Sequence, residues 1–201
     1  MAIKFQYNKT SLQNLGKQLK IRQRTLPTLK NKESALRSEV KRARDMAAEL
    51  DQRYGEEIAK YERMQRLWGE FDSSLIRISD VELSVKKIAG VKTPVLDGVQ
   101  FEIAPYNSFS RPLWFADGIV ILKSLAEIAI NREVFSRKME LLDHARKKTT
   151  QKVNLYEKVQ IPGFEDAIRK IKRFLEDEDN LSKAAQKIIK SRQEKEKEVE
   201  Q

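Results

Sequence analysis

Few side chains in this sequence have the type and spacing that chemistry requires. The single histidine, His144, has no neighbouring histidine, and the chain contains no cysteine. Because a protein metal site draws on several His, Cys or carboxylate ligands, His144 is interpreted as a helix-surface or seam-edge residue. Ser84 and Lys87 match the spacing S-x-x-K, but they stand on a predicted strand without the companion motifs of the enzymes that use it. Neither feature predicts a catalytic or metal site.

The sequence also lacks the glycine-rich motifs of phosphate-binding loops. The patterns G-x-x-x-x-G-K-[ST] and G-x-G-x-x-G, whose backbone amides cradle phosphates, do not occur. The paired carboxylates of Glu56 and Glu57 fall on a strongly charged helical stretch, where a solvated surface explains them better than acid–base catalysis. We therefore expect no catalytic residue, no metal, no cofactor and no enzymatic activity of the chain itself.

The charge of the chain is unevenly distributed. The formal net charge is +10, and residues 1–44 contain twelve Lys or Arg against two Glu, so this segment carries the whole excess. A basic segment of this kind attracts an acidic surface. The clusters at residues 41–44 and 146–148 could contact phosphates, but they lack interleaved aromatic residues. A basic coiled-coil module that binds nucleic acid or an acidic protein is therefore kept as the alternative function.

These charges are carried by two long helical arms. In the first arm, apolar residues recur in alternating steps of three and four, interrupted by Arg22, Glu33 and Glu57. A spacing that averages 3.5 residues keeps such a seam facing one partner helix along its whole length. The seam positions are Leu12, Leu15, Leu19, Arg22, Leu26, Leu29, Glu33, Leu36, Val40, Ala43, Ala47, Leu50, Tyr54, Glu57, Tyr61, Met64 and Trp68. Because the phase is kept across Pro27, one long kinked helix is favoured over two shorter ones.

The second arm has its own seam, which begins after Pro112. Ser110 and Pro112 resemble a helix start. The phase slips by one residue near Pro162, where Gly163 follows, so a kink or a short break is expected there. The charged tail from Ser191 predicts a frayed end. The seam positions are Ile121, Leu125, Ile128, Arg132, Phe135, Met139, Leu142, Arg146, Thr149, Val153, Tyr156, Ile161, Phe164, Ile168, Ile171 and Leu175, with weaker ones at Ala185 and Ile189.

Between the arms the apolar period changes from 3.5 to two. This alternation, flanked by Gly90, Pro94 and Pro105, predicts a β-hairpin with short strands and an extended loop. We predict an all-α dominated fold: a long antiparallel two-helix coiled coil with a small central β-hairpin cap. The predicted segments are residues 1–70, 71–111 and 112–201. Antiparallel pairing of the arms should place the acidic run at residues 176–179 beside the basic residues 17–24, with ion pairs between them.

No apolar run reaches the length of a membrane span, and the N-terminal residues lack the pattern of a signal peptide. A cytoplasmic protein is therefore expected, peripheral to a membrane only through its partners.

Residues 149–162, TTQKVNLYEKVQIP, resemble a signature of the D subunit of V-type/A-type ATPases, typically T-x-R-x-V-N-A-L-E-x-V-x-I-P. The residues of this motif are Thr149, Val153, Asn154, Glu157, Ile161 and Pro162. Residues 29–36, LKNKESAL, resemble that family's L-K-x-K-R-x-x-L. The chain departs from the pattern at Gln151, Leu155-Tyr156, Glu33 and Pro27, which suggests a divergent bacterial member.

The resemblance implies a rotor axle without an active site. Such a central stalk transmits torque between the ATP-hydrolysing or synthesising hexamer and the ion-translocating membrane ring. The implied partners are the catalytic and nucleotide-binding subunits, the F subunit of the stalk and a funnel-shaped subunit on the ring. We predict a hexamer-facing basic collar of Lys17, Lys20, Arg22, Arg24, Lys30 and Lys32. We also predict a hairpin surface that faces the other stalk subunits, formed by Val81, Leu83, Val85, Val99, Phe101 and Ile103.

Overall fold

The structure is a computed structural model that describes residues 3–107, 109 and 111–199. Helix α1 spans Lys9–Lys60 and is followed by a short 3₁₀ turn, Glu62–Met64, and the four-residue helix α2, Gln65–Trp68. A second 3₁₀ turn, Ser73–Leu75, leads into strands β1, Ile76–Ile88, and β2, Val91–Ile103. Helix α3, Trp114–Asn154, continues through a π-helical segment, Leu155–Gln160, into α4, Ile161–Val199. The predicted fold of two long helical arms and a central antiparallel hairpin is confirmed.

The first seam is the feature that the sequence predicts best. Every one of its positions is buried or half-buried, including the interrupting residues Arg22, Glu33 and Glu57. Helix α1 runs unbroken through Pro27, so the alternative of two separate helices is wrong. The helix nevertheless ends at Lys60 rather than at Trp68, and the last seam positions lie in the 3₁₀ turn and in α2. There Trp68 packs edge-on against Trp114, with ring centroids 5.3 Å apart.

The chain divides into two compact units. The first unit joins Met1–Asn31 to Thr150–Gln201. Its core consists of Leu15 packed with Phe164, Ala167 and Ile171 of α4, and Ile3 and Phe5 of the N-terminal lead pack against it. Asn8 caps α1, because its Oδ1 accepts a hydrogen bond from the Ser11 backbone N–H at 2.7 Å. Higher numbers on α1 meet lower numbers on α4, so the two helices are antiparallel in this unit.

The second unit comprises Lys32–Thr149. Leu36, Val40 and Ala43 of α1 form its core with Leu142 of α3, and Met139 and Ala145 pack against them. Further along the same helices, Arg132 donates a hydrogen bond to Asp51 at 2.8 Å. The order of these contacts is antiparallel here as well. The division into residues 1–70, 71–111 and 112–201 stays a prediction.

The hairpin differs from its prediction in length and in turn. Each strand has thirteen residues, and the connection is the two-residue turn Ala89–Gly90 rather than an extended loop. Both turn residues have positive φ angles, 48° and 80°, as a type I′ hairpin turn requires, and glycine takes this conformation without strain. Pro94 lies inside β2 opposite Val85. Apart from Ala89 and Gly90, the residues predicted to form the loop are therefore strand residues.

Two β-bulges explain why the strands look short in the sequence. Ser79 is an extra residue on β1, between Ile78 and Asp80, and Asp97 is an extra residue on β2, between Leu96 and Gly98. A bulge changes the alternation of side chains along the strand that carries it. The period-two pattern therefore breaks in the sequence although the ladder continues.

Three expectations about the second arm need correction. Of the kink or short break predicted near Pro162, the break does not occur, because the π-helical segment joins α3 to α4 without interruption, and the kink stays a prediction. Ala185 and Ile189 are exposed, so the second seam ends at Leu175. Helix α4 extends to Val199, so the fraying expected from Ser191 is wrong up to that residue. The helix start predicted at Ser110 and the last two residues, 200–201, lie outside the described residues.

Candidate interaction surfaces

The six residues of the predicted basic collar divide into two groups. Lys17, Lys20 and Arg24 are exposed. With 3.6 residues per turn they lie on the face of α1 opposite the seam, where three positive charges point away from the core. This group has the geometry of a surface that could meet an acidic partner.

Arg22, Lys30 and Lys32 make contacts within the chain. Arg22 Nε donates a hydrogen bond to Gln160 Oε1 at 2.6 Å, and its guanidinium lies over the Phe164 ring, 4.5 Å from the centroid. Lys30 Nζ lies 2.7 Å from Glu157 Oε1. Lys32 Nζ lies 3.5 Å from the position that a Cβ would take at Gly90, in the hairpin turn. Lys30 and Lys32 are exposed as well, so what distinguishes these three residues from the first group is a close neighbour within the chain.

The expected ion pairs between residues 17–24 and 176–179 do not form among the described residues. The register of the first unit is instead determined by Leu15 packed on Ala167 and Ile171. The Tyr7 ring contacts Phe174, with centroids 4.9 Å apart, so Phe174 lies beside the N-terminal lead. Large apolar contacts outweigh exposed ion pairs, each of which contributes about 0–1 kcal/mol. The acidic run at residues 176–179 therefore lies past residues 17–24, in the direction of the N-terminal lead.

The predicted hairpin surface has a consistent register. Cross-strand pairs of apolar residues lie opposite one another from the base of the hairpin to near its turn, and directly paired residues share a face. Leu83 and Val85 are 53% and 66% exposed, whereas Val81, Val99 and Phe101 are half-buried. The pairs are Ile76 with Ile103, Ile78 with Phe101, Val81 with Val99, Leu83 with Leu96 and Val85 with Pro94.

The turn end of the hairpin is held by the helical arms of its own unit. Ile88, Ala89 and Val91 pack against the core formed by Leu36 and Leu142. Thr93 is 1% exposed and donates a hydrogen bond from Oγ1 to the backbone carbonyl of Lys86 at 2.9 Å. The hairpin is therefore anchored at its turn, while Leu83 and Val85 remain available on β1.

The six motif residues cluster around the π-helical segment. Thr149 is buried, and its hydroxyl donates to the Ala145 carbonyl at 2.8 Å. Val153 is half-buried and Asn154 is exposed at the end of α3, Glu157 pairs with Lys30, and Ile161 and Pro162 begin α4. The sequence motif thus marks a place where the geometry of the helix changes.

Sequence reasoning missed an aromatic cluster near the ends of the hairpin strands. Trp68, Phe71, Trp114 and Phe115 contact one another with ring centroids 5.0–5.7 Å apart. Beside it, an open groove of about 740 Å³ is lined mainly by apolar side chains. The available signal was the position of both tryptophans next to the hairpin. The groove is lined by Ile58, Tyr61, Glu62, Arg63, Trp68, Leu122 and Leu125.

Two of the perturbed carboxyl groups belong to local helix pairs. Hydrogen bonds from Lys170 and Arg169 lower the pKa of Asp166, and those from Lys147 and Arg146 lower the pKa of Asp143. Both arrangements join residues three and four apart on one helix. Among the described residues, no group of three or more His, Asp or Glu could hold a metal ion. Ser84 donates its hydroxyl hydrogen bond to Asp97 at 3.0 Å, and Lys87 is exposed.

Within the described chain, no helix is long and apolar enough to cross a membrane. Pairing on a helix surface explains the lowered pKa values of Asp143 and Asp166, and the extended contacts lie between antiparallel helices. The fold defines a class: proteins built from two long helical arms joined through an antiparallel β-hairpin.

Comparison with known proteins identifies the family. The model of a family described as the D subunit of ATP synthase matches residues 11–191. The D subunit of the V-type ATP synthase of Borreliella burgdorferi is 30% identical over 191 residues, which cover 94% of both chains. The corresponding protein of Chlamydia pneumoniae is 29% identical over 88% of this chain and 87% of its own length. That of Chlamydia muridarum is 28% identical over 86% and 88%. The chain belongs to the ATP synthase D-subunit family, as residues 149–162 predict.

Proposed function

We propose that this protein is the non-catalytic central stalk of a V-type/A-type rotary ATPase. It transmits torque between the hexamer that hydrolyses or synthesises ATP and the ion-translocating ring in the membrane. Its partners are the catalytic and nucleotide-binding subunits, the F subunit of the stalk and the funnel-shaped subunit on the ring. The chain works in the cytoplasm and is held at the membrane through this complex.

The paired arms carry the proposal. In the first unit Leu15 packs on Ala167 and Ile171, and in the second Leu36 packs on Leu142, so α1 has an antiparallel helical partner in both. Two helices that share a packed seam resist bending and twisting better than one, because deformation must also break side-chain packing. An axle under torque needs this property, and a freely moving adaptor does not.

The far part of α4 supports insertion into a surrounding partner. Beyond Leu175, no residue belongs to either described core cluster, and Leu181, Ile188 and Ile189 are 72%, 56% and 57% exposed. Residues 181, 188 and 189 lie on one face of a helix, because they are separated by seven and eight positions. This end of α4 enters the hexamer, together with the exposed collar residues Lys17, Lys20 and Arg24.

Charge reversal at the collar tests this function. Lys17→Glu, Lys20→Glu and Arg24→Glu are made together, while Arg22, Lys30 and Lys32 keep their intrachain contacts. Because association steered by charge depends on complementary surfaces, assembly with the hexamer should slow about tenfold or more at low salt. The number of ions transported per ATP hydrolysed should fall as well.

The matched control places the same charge change elsewhere on α1, with Lys41→Glu, Arg42→Glu and Arg44→Glu. These residues are exposed and lie outside the collar. We expect the control variant to assemble and couple better than the collar variant. Unchanged assembly and unchanged coupling in the collar variant would refute its role.

A further inference from the structure

The one place where the second helical arm departs from α-helical geometry is the π-helical segment, Leu155–Gln160, among the residues that the structure describes. At its end the Ile161 backbone N–H donates to the Tyr156 carbonyl, five residues back instead of four. A π turn holds one residue more than an α turn, so it accommodates an inserted residue without breaking the helix. Such turns occur often at functional sites.

The seam explains why the extra residue is needed. Consecutive seam positions are three or four residues apart, but Tyr156 and Ile161 are separated by five. In an unmodified α-helix this step would rotate the following seam by about 100° away from the N-terminal arm. The wider turn keeps Phe164 buried against Leu15. It also precedes Pro162, which lacks an N–H and whose ring would clash with a carbonyl in a regular turn.

The N-terminal arm holds this segment through polar contacts. Arg22 reaches two of its residues: it donates to Gln160 Oε1 at 2.6 Å, and its guanidinium carbon lies 5.9 Å from the centroid of Tyr156. Lys30 pairs with Glu157, whose side chain is 44% exposed. No residue of the π segment itself is buried. The flanking helix, by contrast, is held by buried apolar side chains, Phe164, Ala167 and Ile171.

We propose that Leu155–Gln160 is a joint in the C-terminal arm. Its backbone hydrogen bonds open locally, and the position of the one extra residue can shift to a neighbouring turn of the helix. Arg22 is the positioning residue that holds the joint closed. The joint opens while the apolar core on α4 stays packed. Its use as a torsional joint under load rests on the proposed rotor function. The local opening itself is a property of the isolated chain.

Amide hydrogen exchange on the isolated full-length chain tests the joint, because it reports local opening residue by residue. Amides of residues 156–161 should exchange about tenfold or more faster than those of residues 166–172. Arg22→Leu, which places an apolar residue at this seam position and removes the hydrogen bond and the cation, should raise exchange at 156–161 about threefold or more. Arg22→Lys should restore part of the protection, and exchange at residues 139–145 should not change.

A pair of deletions separates the joint from ordinary helix fraying. Deletion of Val159 together with Pro162→Ala removes the extra residue and restores a four-residue step, so the variant should fold, lose the π turn and exchange slowly at this place. Deletion of Lys170 instead shortens a regular seam step and should unfold the first unit. Equal exchange at 156–161 and 166–172 in the natural chain would overturn the proposal, as would Arg22→Leu without effect. Neither result would bear on assembly with an ATPase.

Discussion

At the scale of single residues, Arg22 illustrates why the seam tolerates a charge. Its side chain lies in a seam position, yet its guanidinium meets the Phe164 ring and the Gln160 carboxamide, so the charge is not left unpaired. The sequence shows an interruption at this position and could not show which residues of α4 would compensate for it. Those partners depend on the register between the arms, which local spacing does not determine.

Leu36 is the residue whose packing should matter most for the second unit. It is fully buried and shares a core with Leu142 of α3, and residues of the hairpin turn pack against this core. Leu36→Ala should lower the free energy of unfolding by about 2–5 kcal/mol, because it leaves a cavity in a closed core. Urea denaturation followed by circular dichroism measures this change.

The matched control for that substitution is Leu113→Ala, because Leu113 is 91% exposed. Its effect on the isolated chain should stay within about 0.5 kcal/mol. Similar losses for the two leucines would mean that the core contacts of Leu36 are not those described.

At the scale of elements, two helical glycines differ in what surrounds them. A Cβ at Gly118 of α3 would lie 3.0 Å from the Trp114 ring and 3.1 Å from the Phe71 ring, whereas a Cβ at Gly55 of α1 would meet nothing within 4 Å. Gly118→Ala should therefore destabilise the chain by about 1–3 kcal/mol through overpacking. Gly55→Ala should stabilise it by about 0.5–1 kcal/mol through helix propensity.

Thermal unfolding monitored at the helical circular dichroism signal compares the two glycine variants directly. We expect melting temperatures that shift in opposite directions from that of the natural chain. A Gly118→Ala variant as stable as Gly55→Ala would show that the aromatic cluster is looser than its ring distances indicate.

The predicted binding role of the hairpin can be tested directly by substitution. Leu83→Ser with Val85→Ser removes apolar surface that is more than half exposed, so the isolated chain should keep its stability. If the stalk subunits bury this surface, their affinity should fall about tenfold or more, since an apolar side chain of this size contributes about 1.5–3 kcal/mol when fully buried. Pull-down and calorimetry with the stalk subunits measure the loss.

Val120→Ser provides the matched control for the hairpin, because Val120 is 66% exposed on α3. It should bind the stalk subunits as the natural chain does. Equal affinity of the hairpin variant and this control would remove Leu83 and Val85 from the interface.

The helices and the hairpin differ in how well their bounds could be predicted from the sequence. The spacing of 3.5 residues located the seam from Leu12 to Trp68, because the face of a helix on which a residue lies depends only on local helix geometry. The hairpin strands could not be measured in the same way, because the bulges at Ser79 and Asp97 shift the alternation. The one-residue slip before Pro162 was visible, but spacing alone could not distinguish a break from a π turn.

At the scale of the whole chain, the family assignment spans both compact units, and both units contain the same antiparallel pairing of long helices. Helix α1 pairs with α4 in the first unit and with α3 in the second, and the family model covers residues 11–191. The charge pattern alone predicted the wrong neighbours for residues 176–179, because apolar contacts of Leu15 and Tyr7 determine the register. The partner surfaces of the collar and the hairpin stay predictions until complexes are measured.

The most direct test of the central claim is native mass spectrometry of the tagged chain purified from its own cell membranes in mild detergent. We expect one copy of this chain per assembly, together with two larger nucleotide-binding subunits present in three copies each. Stalk subunits should leave with it when the assembly is dissociated in the instrument. A chain recovered alone, as a homodimer or with nucleic acid bound would contradict the rotor function and favour a basic coiled-coil binding module.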